Sequence, residues 1–326
     1  MKDTGQDFLS VKDLYVEYTS GKKITHALNG LSFSMERGET LGLVGETGAG
    51  KTTLAKTVMR ILPDPPARIR TGSVLFQGND LLRLPEKDML SIRGKKIAMI
   101  FQDPMTALNP VRSIGSQIAD CYLLHECSSP ADARKRAEAM LQDVGIPVIR
   151  YDEFPFQFSG GMKQRVVIAM ALACNPELIL ADEPTTALDV TIQAQVLRLM
   201  KELKIKFDSS MILITHDLGV VAQTCDRVIV MYAGAAVEEG SKYDIFKAPA
   251  HPYTKGLLAS LPNMNHRVHR LTPICGLPAD PTNLPAGCSF SPRCPHATEQ
   301  CKSGVIPKVE VSPGHYCTCC NVAKEV

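Results

Sequence analysis

The sequence predicts an α/β fold built on a mostly parallel sheet, with a small cysteine-rich unit appended toward its C-terminal end. Three observations lead there. Short apolar runs of strand length alternate with helical segments, the rhythm of a parallel sheet covered on both faces. A glycine-rich stretch from Gly45 to Thr52 stands where one apolar run gives way to a helix. After about Pro249, Pro, Gly and Cys become frequent and the apolar runs disappear.

The elements follow in order. Val11–Tyr18 and Ala27–Met35 carry apolar residues at strand spacing, and Thr40–Val44 is a short apolar strand ending at Gly45. A helix is expected from Lys51 to Leu62, stopped by Pro63, Pro65 and Pro66. Gly72–Phe76 and Lys96–Phe101 read as further strands. The stretch from Ser113 to Gly145 is helical in composition, with a clear helix start at Ser129-Pro130. A second strand–helix series follows: helix Gly161–Ala173, strand Leu178–Ala181, helix Thr191–Phe207 and strand Met211–Thr215. Arg227–Met231 and Ala235–Glu239 read as a closing pair of strands. The composition change puts a domain boundary between residues 1–248 and 249–326.

Composition narrows the classes. The 326 residues suffice for one large domain with an extension, and 44% hydrophobic against 21% charged residues supports a packed core. A net charge of +2 lacks the basic excess of a nucleic-acid binder. The opening MKDTGQDFLSVKDLYV mixes charges and has no apolar signal-peptide core, and no apolar run approaches the roughly 20 residues of a membrane span. The expectation is a cytosolic protein that docks onto a membrane protein.

Gly45-Glu-Thr-Gly-Ala-Gly-Lys51-Thr52 matches the phosphate-binding pattern G-x-x-x-x-G-K-[ST], with a strand before it and a helix after it. Gly45, Gly48 and Gly50 let the backbone curl so that successive N–H groups face phosphate oxygens, and the helix N-terminus adds its positive end. Lys51 brings a mobile positive charge to the β- and γ-phosphates, Thr52 offers a hydroxyl to Mg2+, and Thr53 follows at the same helix start. Leu178–Asp182 is the natural partner, an apolar strand delivering Asp182 to hold Mg2+ and Glu183 to polarise the attacking water.

Further motifs say which kind of nucleoside triphosphatase this resembles. Phe158-Ser159-Gly160-Gly161-Met162-Lys163-Gln164 opens a helix with a good N-cap and bare backbone. It resembles the signature motif of ABC ATPases, with Met162 in place of the commoner Gln. Gln102 resembles that family's Q-loop glutamine, Thr186-Ala187-Leu188-Asp189 its D-loop, His216 its switch histidine and Tyr18 its adenine-stacking aromatic. These motifs run from Tyr18 to His216 in the family's order. The resemblance implies a P-loop NTPase fold with a parallel core, an antiparallel β subdomain and a helical subdomain over about residues 103–175. It also implies that Ser159, Gly160 and Gly161 meet the γ-phosphate of an opposite subunit, so that hydrolysis needs a sandwich dimer.

The later sequence resembles one branch of that family. His251-Pro-Tyr-Thr254, Gln102-Asp-Pro-Met-Thr-Ala-Leu-Asn-Pro110 and Gly287-Cys288-Ser-Phe-Ser-Pro-Arg-Cys294-Pro are similar to segments of dipeptide, oligopeptide and nickel importer ATPases. The implied partners are a second, paralogous ATPase subunit, two membrane permease subunits and an extracytoplasmic substrate-binding protein, with the chain at the cytoplasmic face of the membrane. Peptide import leads, a nickel or metal-chelate importer is its close variant, and a soluble ABC ATPase on DNA or ribosomes is distant. The last lacks support, because there is one P-loop, no sustained heptad run and no basic stripe.

Seven of the eleven cysteines lie between Cys275 and Cys320. Cys288, Cys294, Cys301 and Cys317 match the branch's four-cysteine pattern, which implies a [4Fe–4S] cluster. Zinc is second because the spacing differs from tight C-x-x-C pairs, and a metal-free tail is third. Cys319 and Cys320 stand close enough in sequence to replace Cys317. Cys275 has no assignment, and Cys121, Cys127, Cys174 and Cys225 are expected to be buried apolar residues.

Overall fold

The structure is a computed structural model that describes residues 7–126, 129–186, 188–261 and 273–324. It divides into two compact units, Met1–Met35 with Leu41–Leu82 and Thr215–Val326, and Glu36–Thr40 with Arg83–Ile214.

The first unit contains a four-stranded antiparallel sheet in the order Lys23–Met35, Leu9–Ser20, Ala67–Phe76, Asn79–Asp80. The first two strands form one long hairpin whose register runs from Leu9 opposite Met35 to Ser20 opposite Lys23. Leu9, Val11, Leu14 and Val16 are buried, and the break in their alternation falls where the register shifts between Val11 and Leu14. Asp13 sits there with φ 45°, in the left-handed region that a bulge uses.

In the same unit Leu41–Val44 runs parallel to Arg227–Val230. Arg227–Tyr232 turns back into Ala235–Ser241, and His315–Thr318 pairs antiparallel with that strand, followed by Lys308–Ser312. These last two strands were not expected after residue 249. Lys308–Ser312 alternates only weakly, but Glu238 stands opposite Cys317 and Glu239 opposite Tyr316, so the C-terminal segment extends an existing sheet edge. An otherwise open edge is thereby covered.

The helix after the glycine-rich loop spans Lys51–Val58, shorter than the expected run to Leu62. Arg60 adopts φ 50°, and the Ile61 N–H closes on the Lys56 carbonyl at 3.0 Å while the Arg60 N–H closes on Thr57. This left-handed closure ends the helix before the prolines are reached.

The second unit has three parallel strands, Ile97–Ile100, Leu178–Asp182 and Ser210–Ile214, every residue of which is buried. Continuous burial explains why they read as unbroken apolar runs. Its longer helices are Ile114–His125, Pro130–Asp143, Gly160–Leu172 and Val190–Lys206. Ser129 caps the second of these by accepting from the Asp132 N–H at 3.2 Å, as its sequence suggests.

Glu238 fastens the C-terminal region. Its side chain is fully buried, it accepts from the backbone N–H groups of Ala250 (2.6 Å) and His251 (2.9 Å), and it lies 2.8 Å from His315 Nε2. His251 in turn caps the helix Pro252–Ala259, its Nδ1 accepting from the Tyr253 N–H at 3.0 Å. Burial pushes the His251 pKa down from 6.5 to about 3, and Lys255 acts in the same direction. The folded chain therefore holds this imidazole neutral. Above pH 6.5 that is cost-free; below it the unfolded chain gains a proton the fold refuses, so stability falls with pH. We expect a loss of about 2 kcal/mol between pH 6.5 and pH 5 from this group. His251→Asn, which can cap without titrating, should flatten the pH dependence of the urea midpoint. An unchanged slope would show that His251 does not carry it.

Candidate functional site

In the first unit the phosphate loop is shaped as its glycines require. Gly50 has φ 95°, and a Cβ there would stand 2.4 Å from the Ala27 carbonyl oxygen, so no side chain fits. Gly45 and Gly48 also have positive φ. Lys51 is buried, and its Nζ donates to the carbonyls of Gly45 (2.7 Å) and Glu46 (3.0 Å), folding back over the loop. Thr52 and Thr53 are half-buried in the first helical turn. Tyr18, half-buried on its hairpin strand, brings its hydroxyl 3.4 Å from Thr53 Oγ1, which places an aromatic ring beside the loop. His216 is exposed just beyond the Ser210–Ile214 strand, and the next residue, Asp217, caps the helix Leu218–Thr224.

In the second unit Asp182 is buried at the carboxyl end of its strand. Glu183 follows with φ 46°, a conformation that costs a non-glycine residue about 1 kcal/mol and commonly marks a working site. The turn sends its carboxylate toward Gln102, whose Nε2 donates to Glu183 Oε2 at 2.9 Å. Thr186 Oγ1 donates to the same oxygen at 2.8 Å. Gln102 and Glu183 are thus joined directly, a contact the sequence did not announce, and Thr186 is a partner that the sequence offered only as part of a motif.

The signature turn lies in this unit too. Ser159 Oγ accepts from the Met162 N–H at 3.4 Å, capping the helix Gly160–Leu172. A Cβ on Gly161 would fall 2.4 Å from Ile192 Cγ2, so this glycine lets the turn pack on the next helix. Asp189 caps that helix, accepting from the Ile192 N–H at 3.0 Å. Its visible role is structural. Ala187, expected in the same loop, lies outside the described residues.

The cysteines divide into two groups. Cys174 and Cys225 are buried, and burial pushes the half-buried Cys121 thiol up to about 11. Cys127 lies outside the described residues. In the C-terminal region burial pushes Cys288 up to about 11, with Cys319, Cys301 and Cys294 adding to the shift. Cys294 is raised by burial and by the same Cys319 and Cys301. Cys319 is pushed down to about 6, chiefly because the Cys317 thiol bonds to it, while Cys317 is raised by that same bond and by burial. Thus Cys319 acts on both Cys288 and Cys294, and Cys317 is not among the main causes of either shift. Among the described residues no group of three or more His, Cys, Asp or Glu stands close enough to hold a metal ion. Four thiols within electrostatic reach of one another are a donor set of the right chemistry for a thiolate-held group.

Comparison with known proteins decides the family. The ABC transporter family profile matches residues 28–186, and that of the oligopeptide/dipeptide transporter C-terminal region matches residues 237–301. The dipeptide transport ATP-binding protein DppD of Bacillus subtilis (strain 168) is 52% identical over 295 residues, 90% of this chain and 88% of the relative. The oligopeptide transport ATP-binding protein OppD of Escherichia coli (strain K12) is 46% identical over 320 residues, 98% of this chain and 94% of the relative. The chain belongs to the ABC transporter ATP-binding proteins. Its fold agrees: the cassette MJ0796, solved as a dimer in a post-hydrolysis state with ADP and Pi, superposes with a TM-score of 0.64 at 28% identity. That match covers 72% of this chain and 98% of the cassette. As an ABC ATPase it hydrolyses ATP. No helix among the described residues is long and apolar enough to cross a membrane.

Proposed function

We propose that this ABC ATPase powers the import of di- and oligopeptides, working peripherally at the cytoplasmic face of the membrane beneath permease subunits. The observation that carries this reading is the joint match to the ABC transporter and oligopeptide/dipeptide C-terminal profiles in one chain. A paralogous ATPase subunit completes the dimer, two permeases form the pathway, and an extracytoplasmic binding protein delivers the peptide. Residues 1–248 serve as the ATPase domain, and residues 249–326 as a cysteine-bearing extension. Co-purification from membranes tests the assembly: recovery with permeases and bound peptide is expected, whereas recovery with ribosomes or DNA, or with a nickel chelate as solute, contradicts it.

The proposed chemistry assigns each motif a task. Tyr18 stacks on adenine, while the N–H groups of the Gly45–Gly50 loop, Lys51 and Thr53 hold the phosphates. Thr52, Asp182 and Gln102 hold Mg2+, which neutralises charge on the β- and γ-phosphates. Glu183 orients water for in-line attack and accepts its proton, and Gln102 and His216 surround the γ-phosphate. Ser159, Gly160 and Gly161 present backbone N–H groups to the nucleotide of the opposing subunit, with Asp189 beside them. Most of the rate then comes from positioning and charge neutralisation.

For the extension we propose an iron–sulfur cluster held by Cys288, Cys294, Cys301 and a fourth thiolate, with zinc as the rival. The influence of Cys319 on both Cys288 and Cys294 favours it over Cys317 as that fourth ligand. Such a group would pin a segment with little apolar core of its own. Iron and acid-labile sulfide analysis of anaerobically purified protein should give about four of each per chain. Cys319→Ser should lose them and Cys317→Ser should keep them. Stoichiometric zinc without iron would reject the cluster.

A further inference from the structure

The second residue of the phosphate loop is a carboxylate, Glu46, beside a site meant for polyanions. Its charge is answered from far along the chain. The Arg293 guanidinium forms a two-point pair with it, Nη1 to Oε2 at 2.7 Å and Nη2 to Oε1 at 3.1 Å. The Arg293 side chain is only 5% exposed. It is fixed by the carbonyl oxygen of Cys275, which accepts from Nε at 3.1 Å, and its guanidinium carbon stands 5.9 Å from the ring centres of both Tyr232 and Phe290. The backbone of Glu46 is held as well. Its N–H donates to the Tyr253 hydroxyl at 2.9 Å, and its carbonyl accepts from Lys51. Tyr253 is fully buried against Tyr232 and Phe290. Thus the amide and the carboxylate of Glu46 are both committed to residues beyond position 250.

We propose that Arg293 is a positioning and charge-screening residue of the nucleotide site, through which the C-terminal extension sets the ATP affinity of the phosphate loop. The inference rests on the reading of Gly45–Thr52 as the ATP site. Two charges in one part-buried pair act on a third charge nearly as a neutral dipole. With the guanidinium removed, the Glu46 carboxylate would stand uncompensated in the phosphate loop and repel incoming phosphates. A two-point pair also fixes the side chain's direction in a way one ammonium cannot. Arg293 directly precedes Cys294, so the fold of the thiol-bearing segment determines where the guanidinium stands.

The test is a double-mutant cycle on the full chain, read as the dissociation constant of a fluorescent ribose-labelled ATP with Mg2+. Arg293→Met should weaken binding about tenfold, the effect of one unscreened charge near the site. Glu46→Gln should leave binding within about twofold or tighten it, since it removes the repelling carboxylate. Arg293→Met combined with Glu46→Gln should return to within about threefold of the unaltered chain. Unchanged affinity in Arg293→Met overturns the proposal, as does an equal loss in the double variant, which would mark mere structural damage. Should Arg293→Met fail to fold, the single Glu46→Gln variant still decides, because weakened binding there contradicts charge screening. Lys51→Ala separates the two levels: normal binding in that variant overturns the phosphate-loop reading itself, and the inference with it.

Discussion

Replacing Glu183 by Gln should lower ATP turnover by at least about 100-fold while leaving ATP binding in place. The substitution keeps the side-chain shape and still offers an oxygen to Gln102 and Thr186, whose donors now sit 2.9 and 2.8 Å from Glu183 Oε2. What it removes is the negative charge and the proton acceptor. The phosphate loop, Lys51 and Tyr18 are untouched, so nucleotide should load and remain. Turnover should be measured in the assembled complex, since a signature turn from an opposing subunit is expected to complete the site. Near-normal hydrolysis there would reassign Glu183 to a structural role, and its φ of 46° would then reflect only the turn after the strand.

The second large effect is on stability. Glu238→Ala should cost about 3–5 kcal/mol, because it leaves two backbone N–H groups and His315 without the acceptor they share in a buried site. Glu238→Gln keeps one oxygen acceptor and should cost less. Urea unfolding would measure both. Limited proteolysis should then cut Glu238→Ala after Ala248, where the chain leaves the helix Lys242–Lys247, before the remainder is attacked. A loss under about 1 kcal/mol would mean that the joint between extension and sheet is held by other contacts.

How far the sequence revealed this molecule depended on the range of each interaction. The phosphate loop, the Ser159 and Ser129 caps and the buried parallel strands are encoded within a few residues, and they appear where the spacing put them. The end of the Lys51–Val58 helix was misjudged, since proline is a visible stop signal whereas the left-handed turn at Arg60 leaves none. The added strands at Lys308–Ser312 and His315–Thr318 were hidden because they are short and polar, and gain their stability from an edge nearly 80 residues earlier. The Arg293–Glu46 pair spans 247 residues, and no local pattern announces it. Cys317 and Cys319 could not be separated by counting, because they stand two residues apart and both are buried; only their neighbours distinguish them.

The central claim is that ATP hydrolysis by this chain drives peptide uptake. Its most direct test is uptake of a labelled tripeptide by cells in which the native copy is replaced by the unaltered chain or by Glu183→Gln. The expected result is robust uptake with the unaltered chain and background uptake with the variant at equal protein level. Equal uptake in both, or loss of nickel uptake with peptide uptake intact, would contradict the account.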